Sequence, residues 1–146
     1  MMTFQFDYQP VLEHRLNLED IAQRELAKLL RERMVLDNQQ QSLEQTAANE
    51  RQQLAAALPA TDGARLGRHA AYSQHIAVRL RQIAARIESL DRRIAAARKS
   101  YDEALKRRRA IERLHDKRYK LWSTRQHDRE EADLHDAAAA CQAMRV

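Results

Sequence analysis

One place in this chain is built to turn. Pro59-Ala60-Thr61-Asp62-Gly63 joins a helix-stopping proline to an aspartate able to cap a new helix and a glycine that permits a bend, with Gly67 close behind. The other proline, Pro10, falls where a first helical turn tolerates it. The 146 residues hold only two glycines and two prolines, so no other break is available. Aromatic residues make up 5%, too few for strand-rich folds, which also need a turn about every 8–12 residues. Ala, Leu, Arg, Glu and Gln dominate, and all favour helix. The expected fold is therefore all-α, with helix one over about 10–58, a turn over about 59–65 and helix two over about 66–140. At 1.5 Å per residue the helices would run roughly 70 and 110 Å.

Periodicity identifies how they pair. Steps of four and three residues through helix two pick out Ile76, Leu80, Ile83, Ile87, Leu90, Ile94, Ala97, Tyr101, Ala104, Arg108 and Ile111, and ten of these eleven are apolar or aromatic. In helix one the same rhythm gives Ala22, Leu26, Leu29, Arg33, Leu36, Gln40, Leu43, Ala47, Glu50 and Leu54, with seven of ten fitting. A repeat of about 3.5 residues predicts an antiparallel left-handed coiled-coil hairpin, one domain across residues 1–146. A short turn pairs residues whose numbers sum to roughly 123, setting Leu29 against Ile94 and Leu36 against Ile87. A longer loop past Gly67 shifts the sum by one heptad. With the short turn, preferred here, the C-terminus forms a helical overhang of roughly 25 residues, carrying Tyr119 and Trp122, whose partners are their own helix or a docked protein.

Charge is uneven along the chain. Residues 1–60 carry a net −3 and residues 61–146 a net +8, for +5 overall. Between Arg92 and Arg125, 13 basic residues face four acidic ones. Such a surplus attracts an acidic partner, a phosphate backbone or an anionic membrane. No base-reading motif accompanies it, which argues against sequence-specific nucleic-acid binding. No run approaches the roughly 18 uncharged apolar residues of a membrane span. The opening residues lack the pattern of a secretion signal, and one cysteine, Cys141, allows no internal disulfide, so a cytosolic protein is expected. No glycine-rich phosphate loop or nucleophile turn is present, and two helices close no pocket, so neither catalysis nor a cofactor is expected. His127, Glu131 and His135 recur every four residues, but two turns separate the histidines; exposed polar residues are the expected reading, not a metal site.

Several segments together resemble a known family. Phe6-Asp7-Tyr8-Gln9-Pro10-Val11-Leu12-Glu13-His14-Arg15, then Glu19 to Ala27, look like the start of the bacterial flagellar export protein FliJ family. So do Tyr72 to Leu80, the basic stretch Lys106 to Leu121, and the acidic stretch Arg129 to Asp136. The resemblance implies a soluble accessory component of the flagellar type III export apparatus, peripheral to the inner face of the cell membrane; the equivalent ATPase stalk of an injectisome and a generic scaffolding coiled coil stay as the alternatives. Its implied partners are the hexameric export ATPase, the cytoplasmic domain of the membrane export gate, and export chaperones, with the protein monomeric when alone. Basic residues near the paired termini would meet carboxylates of the ATPase ring: Arg107, Arg108, Arg109, Arg113, Lys117 and Arg118, with Trp122 beside them. The gate contact would fall on Tyr72, His75, Ile76 and Arg79, where His75 and Arg79 replace larger apolar side chains common in the family.

Overall fold

The computed structural model describes residues 2–60 and 62–145, and its helices are α1 (Gln9–Ala57) and α2 (Gly63–Met144). They pack against each other as an all-α hairpin. The Phe6 carbonyl accepts from the Gln9 amide at 3.1 Å and the Tyr8 carbonyl from the Leu12 amide at 3.0 Å, opening α1 with Pro10 inside its first turn. Asp62 caps α2: its Oδ1 accepts from the Arg65 amide at 2.8 Å. Neither glycine adopts a positive φ, so the turn does not use the freedom glycine offers; Gly63 is instead the first residue of α2. The aspartate cap starts that helix about three residues earlier than expected, and it runs to Met144 where about 140 was expected.

The chain divides into two compact units. One is Ile21–Tyr101; the other comprises the residues through Asp20 together with those from Asp102 onward. In the first, Ile76, Ile83, Ile87, Leu90 and Ile94 of α2 are buried, as is Leu29 of α1 at 2% exposure. All ten heptad positions of α1 from Ala22 to Leu54 are withdrawn from full exposure, the polar ones included. Arg33 resolves its place there through Asp91, at 2.7 Å, and through Asp37. Glu50 resolves its own through His69 at 3.0 Å. Leu29 and Ile94 share one buried cluster, and the numbers of Arg33 and Asp91 sum to 124, close to the short-turn pairing. A heptad shift would have carried Arg33 to a position seven residues further along α2.

In the second unit the four-three rhythm of α2 continues past Ile111 to His115, Arg118 and Trp122, each half-buried. Their cover is not a helix. Residues 2–6 precede α1 in non-helical conformation and lie along α2, with Phe4 and Phe6 turned inward and Gln5 and Asp7 outward. Extended chain advances about 3.3 Å per residue against 1.5 Å in a helix, so a few residues can cover several turns of α2. Trp122, expected on bare overhang, is therefore packed. Beyond it Gln126 is half-buried and the other residues of 123–145 are exposed.

Candidate partner-binding surfaces

The basic stretch of α2 separates into two sets. Arg108 occupies a seam position, and its guanidinium bonds Glu19 at 2.6 and 3.2 Å and Glu112 at 2.5 Å. The Glu19 hydrogen bond, outweighing partial burial and helped by Glu112, raises the Arg108 pKa above the ordinary arginine value. Arg118 lies 4.8 Å over the Tyr8 ring and 3.5 Å from Asp7. Trp122 meets Phe4, whose ring also stands edge-on to His115 and Tyr119 at 5.4 and 5.3 Å. These three residues are engaged within the fold. Arg107, Arg109, Arg113 and Lys117 fall at positions between the seam residues, are exposed, and form no ion pair among the described residues. Of the seven expected together, the structure thus leaves four basic side chains exposed, with Arg109, Arg113 and Lys117 on the face away from the seam and Arg107 on its flank.

The four residues expected at the gate are also divided. Ile76 is 3% exposed and belongs to the seam, so it supports the surface from beneath. Tyr72, His75 and Arg79 are exposed, at steps of three and four residues on one helix face, and line a groove with Val35, Gln39 and Ser42 of α1. Further along, His127 pairs with Glu131 at 3.3 Å, both largely exposed, and no three potential metal ligands converge among the described residues.

The family model of the flagellar FliJ protein matches residues 4–146. The chain belongs to the FliJ family. No curated protein and no solved structure matches it. Among the described residues, no helix of this FliJ-family protein is long and apolar enough to cross a membrane.

Phe4, Phe6, Asp7 and Glu19 went unassigned in the sequence reading, yet they hold the basic segment in shape. A signal for two of them existed. The chain has only two phenylalanines, and both stand at alternate positions just before Pro10, the period of an extended segment with one side packed. Glu19 had a weaker one: it continues the seam of helix one, three residues before Ala22, as a charge that needs a partner.

Proposed function

We propose that the protein couples the hexameric export ATPase ring to the cytoplasmic domain of the membrane export gate, as an accessory without catalysis of its own. Membership of the FliJ family makes it a flagellar export component. The coupling role is supported above all by Arg107, Arg109, Arg113 and Lys117, exposed and unneutralised among the described residues beside seam arginines that have partners within the fold. Guanidinium groups so placed suit carboxylates lining a ring, where bidentate bonds favour arginine over lysine. Tyr72, His75 and Arg79 suit the gate contact, and export chaperones complete the partner set. The protein works in the cytoplasm, peripherally at the membrane, and is a monomer when alone.

Pull-down against the cognate export ATPase, with ATP turnover measured in parallel, tests this reading. R107E/R109E/R113E should weaken ring binding by at least about tenfold and abolish any stimulation of turnover, while the helical content stays unchanged. Wild-type protein that neither binds the ATPase nor alters its turnover rejects the coupling role.

A further inference from the structure

Arg79, Arg86 and Arg93 recur every seven residues on α2 and line one continuous groove of the unit Ile21–Tyr101. Two adjoining stretches make up that groove, of about 490 and 640 Å³, sharing Val35 and Gln39. The three arginines are exposed and form no ion pair among the described residues. Two other arginines of the same unit are neutralised, Arg33 by Asp37 and Asp91 and Arg92 by Glu88 at 3.2 Å. Among the described residues, Glu32 is the one acidic residue lining the two stretches. The floor is apolar, with Val35 55% exposed and Leu36 half-buried beside it.

We infer that this groove receives a third helix, an acidic amphipathic segment of a partner protein, with a carboxylate every seven residues opposite Arg79, Arg86 and Arg93 and apolar side chains laid on Val35 and Leu36. Seven residues of helix advance about 10.5 Å, so a helix with a carboxylate at every seventh position keeps all three guanidiniums satisfied at once. Charged positions flanking a heptad seam set partner choice in just this way. A bilayer presents anionic charge but is flat, and cannot reach the floor of a groove between two helices. A phosphate backbone brings charge without apolar groups to cover Val35. The groove shares Arg79 with the proposed gate contact, but the inference reaches beyond the coupling role, because Arg86 and Arg93 lie outside the gate residues and the site stands whether or not the ATPase ring is bound.

The test uses the full chain and a synthetic helical peptide of four heptads, with Glu at each seventh position and Leu and Ala on the adjoining face. A second peptide carries the same residues in permuted order. Affinities are measured by fluorescence anisotropy at about 0.15 M salt, where screening acts over about 8 Å and leaves contact pairs as the main electrostatic effect. R79E/R86E/R93E should lose at least about tenfold in affinity for the first peptide, and R81E/R92E/R98E, an equal change of charge off the groove, less than about threefold. Should the reversed triple lose helical content, R79Q/R86Q/R93Q takes its place, with a loss of about fivefold expected. Equal loss in both triples, or equal binding of the permuted peptide, overturns the groove. Tighter binding to phosphatidylglycerol vesicles than to the peptide, with the same arginine dependence, overturns the helix as its occupant. Because no ATPase or gate protein enters the assay, its failure leaves the coupling role to be judged by its own pull-down.

Discussion

Between Ile76 and Ile94, α2 fills its heptad positions with aliphatic side chains, five of them buried; between Arg108 and Trp122 the same rhythm delivers two arginines, a histidine, a tryptophan and Ile111. Both stretches are covered, but for different reasons. The aliphatic stretch gains by removing apolar area from water, at about 25 cal/mol per Å², and asks of its cover only that it be apolar and fit. The polar stretch asks for particular partners: Glu19 for Arg108, Asp7 and Tyr8 for Arg118, Phe4 for Trp122. Spacing therefore sets where a residue is covered, and its chemistry sets what must cover it. A seam of the second kind is more specific and less stable for each position, because every charge withdrawn from water must recover its lost hydration through a partner.

The sharpest way to break this contrast is at Leu29. It is 2% exposed in a cluster with Leu90 and Ile94, so Leu29→Ala should cost about 3 kcal/mol in urea unfolding followed by circular dichroism. A cost below about 1 kcal/mol would mean that the aliphatic stretch is not the main source of stability.

The polar stretch should respond differently to two changes at one place. Glu19→Ala leaves Arg108 with Glu112 alone and should cost about 1–2 kcal/mol in the same measurement. The double change Glu19→Leu with Arg108→Leu restores an apolar pair at a heptad site, and should bring stability to within about 1 kcal/mol of the wild type or above it. A double variant as unstable as the single one would show that the ion pair adds net stability.

Phe4→Ala should be milder, about 1 kcal/mol, and local. Phe4 touches His115, Tyr119 and Trp122 and lies outside both helices, so losing its ring should shift Trp122 emission to the red and speed amide exchange around residues 112–126. Exchange in the stretch from Ile76 to Ile94 should not change. Faster exchange there as well would join the two stretches into one cooperative whole.

Much of the hairpin was legible because helix and heptad are local rules. Absence of breakers gave two helices, Asp62 gave the cap, and every position the four-three rhythm picked in α1 from Ala22 to Leu54 is covered. What local rules miss is a contact whose partner follows no period. Phe4 meets Trp122 across more than a hundred residues, through a segment that is neither helix nor turn, so Trp122 read as bare. The basic face was half legible. Composition marked Arg107 to Arg118 and the seam already held Arg108, but carrying it one heptad beyond Ile111 was needed to see that Arg118 also faces inward while Arg107, Arg109, Arg113 and Lys117 are exposed.

The smallest expected effect probes where the aliphatic stretch stops. Between Gly63 and Ile76, α2 buries no side chain, and only His69 is half-buried, held by Glu50. A Cβ at Gly67 would meet nothing within 4 Å, and the residue sits in helical conformation, so Gly67→Ala should stabilise by about 0.5–1 kcal/mol through lower backbone entropy in the unfolded chain. How the gain appears distinguishes two arrangements. If the turn end unfolds together with the seam, the global midpoint rises, by a few degrees at most. If it frays separately, the midpoint holds still and only amides of residues 63–75 gain protection. The second outcome is expected, because a helix end anchored by one His–Glu contact has little to couple it to Ile76, and stability there should track helix propensity rather than burial.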